Sequence, residues 1–289
     1  MNILENENLL VESKNFGAEI TRIFSKKRNK DILWNGDSKF WGRHSPVLFP
    51  IVGRLKDNET YIENDLYKMS QHGFARDMFF DTISSAEDSI TYKLTSNQDS
   101  KKLYPYNFEL LIKYTLNDTT LEIEWTVINT DNKNIYFSIG AHPAFNLNFN
   151  ECNSISDYFI EFKHRNKVNK ISLDGPYSSK VSTIENIANV TLSNDLFIND
   201  ALIYTNIDEL SLKSHSSDEH VTVKFKDFPL VGIWTPYYKD TQTTAPFICI
   251  EPWYGLADNI NSDKIFKNKE FINILSPREQ FCTTYSIEI

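Results

Sequence analysis

Four short stretches of the chain set ionisable side chains among apolar and turn-forming residues, where they could do chemistry. They are Phe49-Pro50-Ile51-Val52-Gly53-Arg54, Gln71-His72-Gly73-Phe74-Ala75-Arg76, Ile139-Gly140-Ala141-His142-Pro143-Ala144-Phe145-Asn146 and Phe247-Ile248-Cys249-Ile250-Glu251-Pro252-Trp253-Tyr254-Gly255. Glu251 ends an apolar run and precedes Pro252, which has no N–H to give a sheet ladder, so the pattern predicts a carboxylate where a buried strand breaks off. Desolvation there raises a Glu pKa toward the range of a general base. A rim glutamate paired with a lysine or arginine fits the same residues. His142 is reached through Gly140 and stands before Pro143, which sets its ring at a strand end; it suits an acid-base role or a structural one. The same two readings apply to His72 before Gly73, and Arg54 after Gly53 is a binding residue or a surface arginine. His44, His164, His215 and His220 have polar neighbours and read as surface residues.

Other chemistries lack their signatures. The sequence has no His-x-His, His-Glu-x-x-His or Cys-x-x-Cys spacing, no phosphate-cradling glycine loop and no Gly-x-Ser-x-Gly elbow. No metal is expected, and Cys152, Cys249 and Cys282 read as reduced structural thiols.

The elements that must position these residues read as strands. Residues 121–127 alternate apolar and polar, as a half-buried strand requires, and 221–226 repeat the pattern. Asn117-Asp118-Thr119-Thr120 separates 112–114 from 121–127 with turn formers and predicts a hairpin. Further short strands are expected at 89–94, 135–139, 158–162, 210–212, 247–251 and 283–289, whereas the Lys-rich stretch 26–30 reads as a surface loop. No linker or repeat divides the chain, so a single domain spanning 1–289 is expected. So many antiparallel strands hide their edges by stacking or closure, which predicts an all-β fold, a large antiparallel sandwich.

Composition narrows the partners. With 40% hydrophobic and 24% charged residues in 289, the chain is ordinary globular protein and neither disordered nor disulfide-stapled. A net charge of -9 disfavours nucleic acid and anionic lipid. The start, MNILENENLL, is unlike a secretory signal and no apolar run is long enough to span a bilayer, so a cytoplasmic location is expected. A monomer or weak homodimer is the expected assembly.

The four motifs, in this order and across essentially the whole chain, resemble those of the aldose 1-epimerase (galactose mutarotase) superfamily, most closely its LacX-type bacterial branch. The resemblance implies a supersandwich of antiparallel sheets with a sugar cleft on a concave face. It also implies that Glu251 is the catalytic base, His142 the catalytic acid, and Arg54 and His72 the residues that bind sugar hydroxyls and the ring oxygen. Asp200, in Asn199-Asp200-Ala201-Leu202, matches a hydroxyl-binding aspartate. Two departures separate this chain from typical galactose mutarotases: Ala144 replaces an aromatic residue two places after the histidine, and Pro252-Trp253 follows the base. Galactose is therefore not implied. Arg76 offers a second cation for a sugar phosphate, and Trp253 either packs on the sugar's C–H face or belongs to the core.

Interconversion of α and β anomers needs one group to take the C1 hydroxyl proton and another to protonate the ring oxygen, so no cofactor is required. The expected substrate is a hexose or hexose phosphate. A non-catalytic sugar-binding protein would use the same cleft without the acid-base pair. A β-sandwich glycosidase or lyase would need two placed carboxylates, and only Glu251 has that context.

Overall fold

A computed structural model of the chain describes residues 1–147 and 154–289, so Cys152 lies outside the described residues. Two large antiparallel sheets carry the fold. One has nine strands, in the order Val190–Thr191, Tyr158–His164, Ile207–Ser214, His220–Lys224, Gln280–Glu288, Thr120–Asn129, Phe108–Asn117, Ser89–Thr95 and Asp81–Ser85. The other runs Ile139–Gly140, Phe247–Tyr254, Leu230–Trp234, Leu202–Thr205, Val168–Asp174 and Tyr177–Ile184, and Ala144–Asn146 joins it as a seventh strand along Phe247–Tyr254. A four-stranded sheet built from the first 31 residues closes on the nine-stranded one: Asn2 and Ser13 hydrogen-bond the Tyr92 hydroxyl, and the Tyr114 hydroxyl donates to the Ala18 carbonyl.

Period-two patterning locates the hairpin at the centre of the large sheet. Phe108–Asn117 and Thr120–Asn129 alternate buried and more open residues and meet at Asp118-Thr119, where Asp118 takes a left-handed φ of 52°. The inner face of the nine-stranded sheet meets that of the seven-stranded sheet through pairs such as Phe162 of Tyr158–His164 with Tyr204, and Phe281 of Gln280–Glu288 with Tyr254, ring centroids 5.4 and 5.0 Å apart. The middle of the seven-stranded sheet behaves differently. Leu202–Thr205, Leu230–Trp234 and Phe247–Tyr254 are buried on both faces, because the face turned away from the other sheet is covered as well.

Several boundaries differ from the sequence reading. The stretch 135–139 is two pieces: Ile135–Phe137 pairs with Asn273–Leu275, while Ile139–Gly140 belongs to the seven-stranded sheet. Strand Phe247–Tyr254 does not break off at Glu251 but continues through Pro252. Residues 26–30 form a tight turn whose last member, Lys30, already pairs with Ser25. Cys249 is buried and Cys282 is exposed, both as free thiols, so Cys282 has no core role. Among the described residues no helix is long and apolar enough to cross a membrane.

Candidate active site

His142 and Glu251 face each other because of strand register. Gly140 pairs with Trp253, and Ala144 with Cys249, so the same offset holds on both sides of residues 141–143 and sets His142 opposite Glu251. The ladder lapses only where prolines remove donors. The Ala141 N–H donates to the Pro252 carbonyl at 3.0 Å, and the Ile250 N–H to that of Pro143 at 3.3 Å, but neither bond has a return partner because residues 252 and 143 have no N–H. The Ala141 carbonyl is satisfied instead by the Trp253 indole N–H at 3.2 Å. His142 and Glu251 thus form a non-hydrogen-bonded cross-strand pair, the type whose side chains lie closest. His142 Nε2 is 3.3 Å from Glu251 Oε2, and both side chains are almost wholly buried.

Small neighbours make room above them. Gly140, Gly232 and Ala144 share this face with Trp253, whose indole fills the space that a side chain at either glycine would need. A Cβ at Gly140 would stand 2.6 Å from the indole, and one at Gly232 would collide with its ring. The resulting cavity, about 400 Å³, has His142 and Glu251 in its lining and Trp253 beside them. That volume suits a small-molecule site. Trp41 stacks on the His142 ring at 4.8 Å and 25°, while Trp234 and His72 meet it edge-on, each 5.5 Å away.

The first two motifs form one unit. His72 has a left-handed φ of 69° and Gly73 one of 73°; a Cβ at Gly73 would collide with the Phe49 carbonyl oxygen. The His72 N–H donates to the Gly53 carbonyl at 2.8 Å, and the Gly53 N–H donates to His72 Nδ1 at 3.1 Å. Because Nδ1 accepts, the neutral ring carries its proton on Nε2. Gln71 Nε2 lies 3.2 Å from that nitrogen while Gln71 Oε1 accepts from Arg54 Nη2 at 3.0 Å. Gln71 thus bridges His72 and Arg54.

The expected site residues do not all reach the cavity. Glu251, His142, His72, Arg76, Asp200 and Trp253 line it. Arg54 stands behind Gln71, facing a neighbouring recess. Asp200 is at the exposed mouth with a φ of 72°, and the Trp234 indole and Ala201 N–H donate to its carboxylate. His44 is a correction to the surface reading: it is half-buried, and Glu19 accepts from its backbone N–H at 2.8 Å. Trp41, Arg43, Gln71 and Trp234 line the cavity without having been singled out in the sequence. A Trp-Gly-Arg run in a polar loop and a Trp-Thr-Pro strand end were the available signals.

Burial dominates the electrostatics. It pushes His142 down to about 3, helped by the positive charge of Arg76 and Arg43, and it pushes Glu251 well above the usual carboxylate range, helped by Asp200. His72 is driven well below its ordinary value by burial and by His142, and Asp200 is raised by burial. Burial therefore favours the uncharged form of each partner, a glutamic acid beside a neutral imidazole with one proton between them. Among the described residues, His142, Cys249 and Glu251 are the one set of three metal-ligating side chains with ligand atoms within 4.8 Å of each other. Burial holds the Cys249 thiol protonated, which opposes its use as a thiolate ligand.

Comparison with known proteins adds a family. A family model described as Aldose 1-epimerase matches residues 2–265. The chromosomal Protein LacX of Lactococcus lactis subsp. lactis is 30% identical, over 99% of this chain and 98% of that protein. Among solved structures, a galactose mutarotase related enzyme from Lactobacillus acidophilus superposes with a TM-score of 0.94 at 34% identity, covering 99% of this chain and 96% of that one. A galactose mutarotase-like protein from Lactobacillus casei gives 0.92 at 30% identity, covering 100% and 99%.

Proposed function

The chain belongs to the aldose 1-epimerase family, and from that membership we propose that it interconverts the α and β anomers of an aldose, with Glu251 and His142 handling the protons. The observation that carries this reading is the 3.3 Å contact between the two side chains in the lining of a sugar-sized cavity.

The reaction starts from the charge-separated form of the pair. The Glu251 carboxylate takes the proton from the C1 hydroxyl, the C1–O5 bond breaks, and protonated His142 gives its proton to O5. The product is an open-chain aldehyde with a C5 hydroxyl, facing a protonated Glu251 and a neutral His142. Rotation about C1–C2 presents the other carbonyl face, and the same steps in reverse close the ring as the opposite anomer. Opening the ring thus returns the pair to the uncharged form that burial favours, and charge separation within the pair is part of the barrier. Each proton transfer contributes about 10² to 10⁴ in rate. His72, in the cavity lining, would hydrogen-bond a sugar oxygen, and Asp200 would accept from a hydroxyl at the mouth. Arg54 would act through Gln71, and Trp253 would form an apolar wall.

Anomer exchange measured by magnetisation-transfer NMR across a panel of aldoses tests the reading. Glu251→Gln should lower exchange by about 10² to 10⁴ while sugar affinity stays within a few fold. Undiminished exchange in that variant would refute the assignment, and a wild-type protein that binds sugar without exchanging it would be a binding protein.

A further inference from the structure

Cys249 is a free, buried thiol beside His142 and Glu251, and the reaction leaves it unused. It stands two residues before Glu251 on the strand Phe247–Tyr254, so both side chains leave the same face of the sheet. Its partner across the ladder is Ala144, two residues past His142. An imidazole nitrogen, a thiol and a carboxylate therefore occupy three neighbouring positions of one two-stranded ladder, and the fourth holds only a methyl group. Their ligand atoms all lie within 4.8 Å of one another.

We propose that these three side chains capture a thiophilic divalent cation, zinc or cadmium, and that the captured ion shuts the site down. The spacing suits the ion. Zinc bonds of about 2.0–2.1 Å to nitrogen and oxygen put the two donors of a tetrahedral site about 3.3 Å apart, and His142 Nε2 and Glu251 Oε2 already stand 3.3 Å apart. A bond of about 2.3 Å to sulfur sets that atom about 3.6 Å from each of the others. The Cys249 sulfur therefore has at most about 1.2 Å to close, within reach of a χ1 adjustment. The fourth position of the tetrahedron opens on the cavity that His142 and Glu251 line, where a water completes it.

Charge also balances. Burial disfavours a lone thiolate at Cys249, but a thiol that coordinates a cation gives up its proton outright. The ion displaces one proton from Cys249 and one from Glu251 to solvent, so two positive charges replace two and the buried cluster stays neutral. Sulfur and imidazole select borderline and soft ions over magnesium and calcium, which take oxygen ligands. Resting on the proton roles assigned above, the consequence is inhibition: a Glu251 carboxylate bonded to the ion cannot take the C1 hydroxyl proton, and a metal-bound His142 Nε2 has none to give.

Cadmium titration of the full chain, with Cys152 and Cys282 left in place, reads the site through the sulfur-to-metal charge-transfer band in the ultraviolet. The wild type should show one more band-forming equivalent than Cys249→Ala or Cys249→Ser, and zinc should compete for it. Zinc affinity should fall at least about 10²-fold in either variant, because loss of an outer-shell partner alone costs about 10- to 100-fold. In the NMR exchange assay zinc should stop the wild type, a chelator should restore it, and magnesium should have no effect. Each variant, compared with its own metal-free rate, should resist the zinc concentration that silences the wild type. Equal zinc affinity in the wild type and both variants would overturn the site, and zinc bound through Cys249 without loss of exchange would overturn the inhibition. If no sugar exchanges even without metal, the epimerase reading fails, and the cadmium band alone decides the metal site.

Discussion

Two carboxylates seven residues apart in sequence, Glu251 and Asp258, are both buried, and the protein treats them in opposite ways. Asp258 is fully matched: one oxygen pairs with the Lys269 ammonium, the other accepts from the Lys56 N–H at 2.8 Å, and Lys269 also donates to the Leu256 carbonyl at 3.2 Å. The Asp258 N–H and carbonyl tie the same loop to Arg54 and Ser178. Among the described residues Glu251 forms no ion pair with a lysine or arginine. Its partners are a neutral imidazole and the Trp253 side chain, and the charge that acts on it is a second carboxylate, Asp200. A buried charge that is fully paired fixes a loop. One left incompletely paired is available for reaction.

That contrast breaks if Asp258 proves dispensable. Asp258→Ala strands the Lys269 ammonium and should cost about 3–5 kcal/mol in denaturant unfolding, while replacing both residues by apolar side chains should recover most of it. A single-variant loss below about 1 kcal/mol would remove the structural role.

The pH dependence of kcat/KM sharpens the other half. The one-proton form of the His142–Glu251 pair persists down to the point where His142 accepts a second proton, so the acid limb should fall near 3 and not near 6.5. The alkaline limb should appear where Glu251 finally loses its proton, well above 4.5. An acid limb near 6.5 would mean that His142 is not held neutral.

Gly232→Ala asks whether packing, without ion pairs, holds the reactive region. The added methyl meets the Trp253 ring and should cost about 1–3 kcal/mol of stability, with a larger proportional loss of exchange as the indole moves into the cavity. A variant with normal exchange would show that the indole position is not critical.

The smallest effect is a sign. Because the folded-state pKa of Glu251 is raised, the unfolded chain loses its proton first, and the wild type loses stability as pH rises from 4.5 through the folded value. Glu251→Gln should remove that slope and melt at a higher temperature than wild type at neutral pH, whereas Asp258→Ala melts lower. A fall in melting temperature for Glu251→Gln would put both carboxylates in the same structural class.

Legibility in the sequence followed exposure. The strands around 112–114 and 121–127 were readable because one face is solvated, which writes a period of two into the residues. Leu202–Thr205 and Leu230–Trp234 are covered on both sides and carry no such period, so they were missed. The short N-terminal strand Asn2–Glu5 was hidden by its polar composition. Within the site, His142 and Glu251 stood out through their flanking prolines, but for a reason the sequence could not supply. Pro252 does not end its strand, because its absent N–H lies opposite Ala141, whose carbonyl takes the Trp253 indole instead. Trp41 and Trp234 were indistinguishable from core aromatics, and Arg43 from a surface loop charge. Arg54 resembles a cavity residue in its motif, and only the fold reveals that it faces a neighbouring recess and reaches the cavity wall through Gln71.

His142 and Glu251 are separated by a single step between neighbouring strands, a spacing that the main chain enforces whatever loops surround it. Trp41, Arg43 and Gln71, by contrast, come from connecting segments, where insertion and exchange are tolerated. Diversification among such proteins can therefore proceed by rewriting the loops: the cavity lining can change without disturbing the distance between the imidazole and the carboxylate.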